Sequence, residues 1–209
     1  MKTQDELTFD PESFDWNEVY SGLAEDYEPP DLSLLETIAT IASGRALDVG
    51  CGAGGLVVAL AEAGWTVTGV DIVPKAIAAA RQVIAQRNVQ ATLQVGNATT
   101  WRPEGTFDLI TNSFALPMTR AERAPVYVMM RQALRPGGHV LIKDFDPAMS
   151  RFDHFAGIDM VPVDELTEAF AGFELLRAEV VDTPAHHHSD SHTDEHWTAT
   201  FFHARKPVE

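Results

Sequence analysis

The chain has 209 residues, of which 45% are hydrophobic, and this is enough apolar material for one domain with a buried core. Its 31 acidic and 15 basic residues give a formal charge of -16, which disfavours binding to nucleic acid or to an anionic membrane surface. The single cysteine, Cys51, excludes an internal disulfide framework, and no apolar run approaches the ~20 residues of a membrane-spanning helix. The N-terminus also lacks a signal-peptide pattern, so we expect a cytoplasmic, single-domain protein (residues 1–209) with a small-molecule partner.

Residues 1–31 are acidic and aromatic, and Pro29 and Pro30 end any helix that precedes them. Phe14, Trp16 and Tyr20 are spaced so that a helix presents them on adjoining faces. They predict either an extension that covers a binding site or an aromatic cluster packed on the core. We therefore divide the domain into an N-terminal extension, residues 1–31, and a core, residues 32–209.

From residue 31 onward, short β-rich segments alternate with segments whose apolar residues repeat about every 3.6 residues. The predicted strands cover residues 45–49, 66–71, 91–95, 107–111 and 138–144. The predicted helices cover residues 31–43, 54–64, 74–87 and 123–134. This alternation is typical of an α/β fold with a doubly wound parallel sheet and helices on both faces.

The end of the chain departs from this alternation. After a short predicted helix at residues 163–170, two strand-like segments follow at 173–181 and 197–205 with no helix between them. Two strands joined without a crossover helix pair antiparallel. We therefore expect a Rossmann-like, mostly parallel seven-stranded sheet that ends in an antiparallel hairpin.

The segment "ALDVGCGAGG" joins the first predicted strand to the next helix, and its glycines permit a tight turn close to a ligand. It fits two motifs: G-x-G-x-x-G through Gly50, Gly52 and Gly55, and D-x-G-x-G-x-G through Asp48, Gly50, Gly52 and Gly54. At the end of the second strand, Asp71 is suited to accept hydrogen bonds from ribose hydroxyls. The loop and Asp71 by themselves fit either a nicotinamide dinucleotide or another nucleoside cofactor.

Four features in order distinguish these possibilities: a helical segment before the glycine strand, "ALDVGCGAGG", "VTGVD", and "LRPGGHVLI" at the fifth strand. In this order the chain resembles the class I S-adenosylmethionine-dependent methyltransferases over residues 32–207. It is most similar to their small-molecule branch, which includes thiopurine-type and tellurite-resistance methyltransferases. The final antiparallel hairpin also matches that family, whereas a nicotinamide enzyme usually starts at its glycine strand and continues to a sixth parallel strand.

The resemblance implies a binding site for S-adenosylmethionine. In that site, residues 50–54 lie along the methionine part, Asp71 holds the ribose, Ile72 packs on the adenine, and Asn97 replaces an acid that often contacts the adenine amine. The implied cofactor contacts are Tyr20, Asp48, Gly50, Cys51, Gly52, Gly54, Asp71, Ile72, Asn97, Ala98, Asn112, Ser113 and Phe114.

Methyl transfer from a sulfonium is an in-line displacement with a good leaving group, so positioning and substrate deprotonation are the main tasks of the protein. His154 follows the fifth strand on its carboxyl-end side, Asp144 and Asp146 share this edge, and these three residues are the candidates for a general base. A thiolate acceptor needs no base. His139 begins the fifth strand at the opposite end and has a structural or surface role.

The segment "HHHSDSHTDEHW" connects the last two strands and contains His186, His187, His188, His192 and His196. In the family's topology this connection, residues 183–196, lies on the active-site face. Neutral imidazoles with nearby carboxylates bind zinc or nickel, but the spacing matches no standard zinc motif. The segment predicts either a divalent metal site or a solvated loop.

The sequence thus predicts transfer of a methyl group from S-adenosylmethionine to a small acceptor, with the histidine segment on the substrate face. One alternative is an enzyme acting on a natural-product hydroxyl or amine. Another is a metal-responsive protein that binds S-adenosylmethionine without turnover, and a third is a nicotinamide oxidoreductase.

Overall fold

We describe the protein from a computed structural model, in which residues 30–152, 155, 158–183 and 197–208 are described. In chain order the elements are α1 (Leu32–Ile38), β1 (Arg45–Val49), α2 (Gly55–Glu62), β2 (Thr66–Asp71), α3 (Pro74–Arg87), β3 (Ala91–Val95), β4 (Phe107–Ser113), α4 (Arg120–Ala133), β5 (Leu134–Phe145), a 3₁₀ helix (Pro147–Arg151), α5 (Val163–Ala169), β6 (Glu174–Thr183) and β7 (Trp197–Arg205).

These strands form one seven-stranded sheet in the order β3-β2-β1-β4-β5-β7-β6. The pairs from β3 through β5 are parallel, whereas β7 runs antiparallel to both β5 and β6. Since β7 is antiparallel to its two neighbours, β6 runs in the same direction as β1 to β5. The predicted fold, including the C-terminal antiparallel hairpin, is confirmed.

Helices cover both faces of the sheet, and the strands alternate their apolar side chains between two cores. On one face, Ile110 and Ile142 pack with residues of α4 and α5, including Val126 and Leu166. On the other face the core contains Leu34 of α1, Val57 of α2, Ile77 of α3, and Leu109 and Leu141 of the sheet. We name these the α4–α5 face and the α1–α3 face after the helices that cover them. Polar side chains of the strands are described below by the face to which they point.

Element bounds agree with the sequence prediction for β1, β2, α3, β3 and β7. The strand β4 continues to Ser113, so that Asn112 and Ser113 end the strand instead of following it. The helix α1 ends at Ile38, well before the predicted residue 43. The helix α4 begins at Arg120, one turn before the predicted residue 123.

The carboxyl ends of the parallel strands lie at one edge of the sheet, where ligands bind in folds of this class. Thr183 at the end of β6 pairs with Trp197 at the start of β7, so the residues that flank the histidine segment lie at this carboxyl edge. Among the described residues we find no helix with the length and apolarity needed to cross a membrane.

Candidate active site

The glycine loop between β1 and α2 requires its glycines. Gly50, Gly52 and Gly54 have φ of 74°, 51° and 89°, in the left-handed region that residues with a side chain rarely adopt. A Cβ at Gly50 would overlap the side chain of Ala115, in the segment after β4, and one at Gly54 would lie 3.0 Å from Ala80 Cβ. The loop therefore fits closely between α3 and the segment after β4.

Asp71 at the end of β2 is fixed by backbone donors of two loops. Its Oδ2 accepts a hydrogen bond of 2.8 Å from the N–H of Gly52, and its Oδ1 accepts one of 2.8 Å from the N–H of Val73. Burial raises the pKa of this carboxyl group, although both hydrogen bonds oppose the rise. Each oxygen keeps a further acceptor position, which suits the hydroxyl groups of a ribose. The adjacent Ile72 exposes 55% of its surface, an apolar platform beside the carboxylate.

Asp48 lies deeper, at the end of β1, and is 3% exposed. It accepts a hydrogen bond of 2.8 Å from the hydroxyl of Thr111 on β4. Burial, with the nearby charge of Asp71, raises its pKa to about 7. Cys51 is also buried, and burial together with Asp48 and Asp71 raises the pKa of its thiol, so this cysteine is unsuited to act as a nucleophile.

The segment after β3 is folded back on itself. Oδ1 of Asn97 accepts hydrogen bonds from the N–H and the hydroxyl of Thr99, at 2.9 and 2.8 Å. Both acceptor positions of this oxygen are therefore in use, and an adenine amine would have to displace one of the two donors. Ala98 packs against the core of the α4–α5 face. The N–H of Gly96 donates to the carbonyl oxygen of Asp71 at 2.8 Å, which fixes this segment beside Asp71.

The end of β4 brings three of the predicted residues to the carboxyl edge. Asn112 is fully buried and donates through Nδ2 to the carbonyl oxygen of Val49 at 2.8 Å, whereas its Oδ1 has no hydrogen-bond partner among the described residues. Ser113 pairs with Lys143 of β5. Phe114 has a φ of 51°, unusual for a residue with a bulky side chain, and its ring centroid lies 4.7 Å from that of Phe145.

Two of the three candidate bases are described, and both are buried. Asp144 at the end of β5 accepts hydrogen bonds from the N–H groups of Phe145 and Leu116, at 2.8 and 3.2 Å, and burial raises its pKa to about 6. Asp146 accepts a hydrogen bond from Ala148 N–H through Oδ1 and so caps the 3₁₀ helix, while its Oδ2 has no partner among the described residues. Asp144 thus has the properties of a general base near neutral pH, whereas Asp146 has a local structural task.

The remaining predicted residues, which are Tyr20, His154, His186, His187, His188, His192 and His196, lie outside the described part of the chain. In the part that is described, no group of three or more potential metal ligands is present. His139 lies near the middle of β5, six residues before the carboxyl end of the strand, and its Nδ1 is 2.9 Å from Nε2 of His203.

Sequence reasoning missed a buried ionic network on the α4–α5 face. Arg123 is fully buried and forms two hydrogen bonds to Glu165, of 2.7 and 2.8 Å, and one of 2.6 Å to the carbonyl oxygen of Asp159. Tyr127 donates to the same Glu165 at 2.8 Å. The network fixes the segment between β5 and α5 against α4. Arg123 lies 42 positions before Glu165 and 36 before Asp159, and these residues match no motif. The one signal in the sequence is the spacing of Arg123 and Tyr127, one helical turn apart, which indicates a shared face.

Comparison with known proteins finds similarity to methyltransferases over part of the chain. Residues 46–138 match the model of a methyltransferase domain. An uncharacterized methyltransferase of Synechocystis is 37% identical over 115 residues, which is 53% of this chain and 51% of that protein. A ubiquinone biosynthesis O-methyltransferase of Aromatoleum aromaticum is 31% identical over 117 residues, 55% of this chain and 50% of that protein. Hemagglutinin 1 of Eikenella corrodens is 29% identical over 151 residues, 70% of this chain and 49% of that protein.

The chain thus spans about half the length of the curated relatives it matches. Among solved structures, the N-methyltransferase NodS of Bradyrhizobium japonicum in complex with S-adenosyl-L-homocysteine superimposes with a TM-score of 0.68 at 22% identity, covering 83% of each chain. At this identity the likeness shows the fold, and the fold agrees with the matched domain and with the glycine loop and acidic strand end described above. Residues 46–138 are thus similar to a methyltransferase domain, and the chain has the fold seen in NodS.

Proposed function

We propose that the protein transfers a methyl group from S-adenosylmethionine to a small-molecule acceptor by in-line displacement. The observation that carries the proposal is the carboxylate of Asp71, which the N–H groups of Gly52 and Val73 hold beside the exposed side chain of Ile72. This arrangement offers a ribose acceptor and an adenine platform next to a glycine loop whose backbone can approach a ligand closely. The complex of NodS with S-adenosyl-L-homocysteine supports the same cofactor in this fold.

Bound S-adenosylmethionine supplies an activated methyl group on a sulfonium whose leaving group needs no protonation. The protein's tasks are then to orient the acceptor and to remove its proton. Asp144 is the described residue best suited to the second task, because a pKa of about 6 leaves it mostly ionised at pH 7 and still basic enough to accept a proton. Asp146 and His154 remain further candidates from the sequence. A thiolate acceptor would need none of them.

A small acceptor fits the strongly acidic composition, which disfavours nucleic acid and anionic membranes as partners. The similar proteins include ubiquinone biosynthesis O-methyltransferases, and this supports a hydroxyl acceptor within the first alternative, a natural-product hydroxyl or amine. The kinship with thiopurine-type and tellurite-resistance methyltransferases belongs to the same proposal. We also propose a cytoplasmic location and a single domain over residues 1–209. Residues 1–31 would cover the site, with Tyr20 at the methionine carboxylate.

The proposal also includes a metal site for zinc or nickel in the histidine segment, on the substrate face. Its support is that Thr183 and Trp197, which flank the segment, pair at the carboxyl edge of the sheet. The rival function is a metal-responsive protein that binds S-adenosylmethionine without turnover.

Isothermal titration with S-adenosylmethionine, first without metal and then with zinc or nickel, tests these proposals together. We expect binding in the wild type and a loss of about 100-fold or more in Asp71→Ala, because that change removes a charged acceptor of both ribose and loop. Glu36→Ala, a substitution of an exposed acid on α1, is the matched control and keeps wild-type affinity. Unchanged affinity in Asp71→Ala would refute the site, and affinity that depends on metal would connect the histidines to it.

Turnover is measured separately, as S-adenosyl-L-homocysteine formed in the presence of a panel of thiols, phenols and amines. Product with any acceptor supports the enzyme. Binding without product, together with a metal-dependent change of oligomeric state, favours the rival, and binding of NAD(H) in place of S-adenosylmethionine overturns the assignment of the cofactor.

A further inference from the structure

A partly buried ion pair joins β5 to the residue that precedes α1. Nζ of Lys143 lies 2.6 Å from Oδ2 of Asp31, and the two side chains are 1% and 16% exposed. Oδ1 of Asp31 accepts a hydrogen bond of 2.8 Å from the N–H of Ser33 and thereby caps α1. Burial opposes the ionisation of Asp31, but hydrogen bonds from Lys143 and Ser33 outweigh it and hold its pKa below the usual value. Asp31 is therefore ionised at neutral pH.

The ion pair lies beside the segment that closes the proposed cofactor site. The carbonyl oxygen of Lys143 accepts a hydrogen bond of 2.8 Å from Phe114 N–H, and its ammonium lies 5.9 Å from the centroid of the Phe114 ring. The next residue, Ala115, packs directly on Gly50 of the glycine loop. The side chain of Lys143 points to the α1–α3 face, as does that of Leu141 two residues earlier. A cation is thus held against the segment that borders both the glycine loop and the acceptor.

Stability and capping do not account for these charges. A buried ion pair is often replaced by apolar residues without loss of stability, because removing two charges from water offsets most of their attraction. Asparagine and serine also cap helices as well as aspartate does, so the cap of α1 needs no charge. The charges of Asp31 and Lys143 therefore call for a role other than packing.

We infer that Asp31 and Lys143 set the electrostatic potential at the sulfonium position and so determine how the site discriminates S-adenosylmethionine from S-adenosyl-L-homocysteine. The inference rests on the proposed function. The two molecules differ by the methyl group and by the positive charge of the sulfonium, which the product lacks. The ammonium of Lys143 disfavours that charge, and the carboxylate of Asp31 offsets it. The pair places a positive and a negative charge near the site and holds Phe114 in position. Neither residue takes part in a chemical step.

The test is the ratio of the two dissociation constants, that of S-adenosylmethionine over that of S-adenosyl-L-homocysteine, measured by titration at low salt on the full chain. Asp31→Asn keeps the size and the cap but leaves the ammonium unopposed, so the ratio rises by about fivefold. Lys143→Met leaves the carboxylate unopposed, so the ratio falls by about the same factor. The double variant removes both charges and returns the ratio to within about twofold of the wild type.

Glu174→Gln is the matched control, because it removes a negative charge from an ion pair with Arg205 at the opposite edge of the sheet, and it leaves the ratio unchanged. Asp31→Ser repeats the decisive measurement with another capping residue if Lys143→Met does not fold. A ratio that stays constant in Asp31→Asn and Asp31→Ser, or that moves in the same direction in both single variants, overturns the inference. Failure of the wild type to bind either molecule would instead overturn the proposed function.

Discussion

The two halves of the sheet hold their polar groups in different ways. We call β3-β2-β1, the half proposed to bind the cofactor, the cofactor half, and the other half, proposed to bind the acceptor, the acceptor half. In the cofactor half the carboxylate of Asp71 and the amide of Asn97 bond to donors that are 19 residues or fewer away in sequence. In the acceptor half, β4-β5-β7-β6 with α4 and α5, the main contacts join distant segments, with separations of 42 residues for Arg123 and Glu165 and 112 for Lys143 and Asp31. Short-range contacts therefore fix Asp71 and Asn97, although Asp48 of the same half bonds to Thr111, 63 residues away. The acceptor half depends more on contacts between distant segments.

The halves also differ in how completely their polar groups are satisfied. Among the described residues, the buried side-chain atoms without a hydrogen-bond partner are Asn112 Oδ1, Asp146 Oδ2 and Thr198 Oγ1, and all three lie in the acceptor half. A buried polar atom without a partner costs about 1–3 kcal/mol, which a donor from water or a ligand recovers. The cofactor half is preorganised, and the acceptor half retains polar groups with which a ligand or water can bond.

The largest expected effect comes from breaking the ionic network of the acceptor half. Arg123→Met leaves Glu165 buried and paired only with the hydroxyl of Tyr127 and a distant Arg120, so we expect a loss of about 3–5 kcal/mol in the free energy of unfolding. Urea denaturation followed by circular dichroism measures it. The matched control is Arg120→Met, whose guanidinium is exposed and pairs mainly with exposed Glu168, and which costs less than about 1 kcal/mol.

Equal losses in the two arginine variants would contradict this account, because they would show that burial of the pair has no energetic weight. The comparison of the halves predicts a further result. In Arg123→Met the affinity for S-adenosylmethionine falls less than the affinity for the acceptor, since the glycine loop and Asp71 make no contact with the network.

The second prediction concerns the contact between the two halves, in which Gly50 of the glycine loop packs on Ala115. Gly50→Ala places a methyl group on Ala115 at a residue with a φ of 74°, so we expect a loss of about 2–4 kcal/mol in stability, from overlap and backbone strain together. The affinity for S-adenosylmethionine falls with it, because the loop cannot keep its form. Thermal unfolding and titration measure both effects.

Gly172→Ala is the matched control that distinguishes backbone strain at positive φ from steric overlap of the added methyl group. Gly172 has a φ of 87°, but an added Cβ meets nothing within 4 Å, so this variant loses only about 1–2 kcal/mol and keeps the affinity of the wild type. If both glycine variants lose the same stability and neither loses affinity, the close fit between glycine loop and Ala115 has no functional consequence.

The same contrast explains what could be predicted from the sequence. Periodicity located the strands and the crossover helices, and the glycine motif with Asp71 located the cofactor half, because these signals lie within a few residues of one another. The network of Arg123 and the pairing of Lys143 with Asp31 have no such local signal. A long-range ion pair depends on which helix face packs on which strand. Periodicity predicts the buried face of each element, but it does not predict which other element packs against that face.

One boundary could have been predicted and was missed. Thr119 accepts a hydrogen bond from Glu122 N–H, and its hydroxyl donates to the Glu122 carboxylate at 2.7 Å. This is the capping-box pattern of a threonine followed three residues later by a glutamate, which predicts a helix start at Arg120. Pro125 is the sixth residue of α4, beyond the first turn, where it removes one i→i−4 hydrogen bond.

The third prediction compares one buried acid from each half through the pH dependence of stability. Burial raises the pKa of Asp48 to about 7 and that of Asp144 to about 6, so the folded protein keeps protons that the unfolded chain has released. Each acid therefore contributes stability that is complete below its ordinary pKa of about 4 and is lost as the pH rises toward the folded value. The slope is at most about 1.4 kcal/mol per pH unit for each group.

The pH ranges over which Asp48 and Asp144 lose their contributions to stability end at different values. Single variants can therefore distinguish the contribution of each half. Relative to the wild type, Asp144→Asn flattens the decline of the unfolding free energy up to about pH 6, and Asp48→Asn flattens it up to about pH 7. His203→Gln shifts the curve in the opposite direction. Burial and the nearby charges of His139 and Arg177 lower the pKa of His203 to about 4, so its contribution is lost on acidification from about pH 6.5. Denaturation series from pH 4 to pH 8 give all three slopes, and identical curves for the two asparagine variants would show that the halves do not differ in how they bury charge.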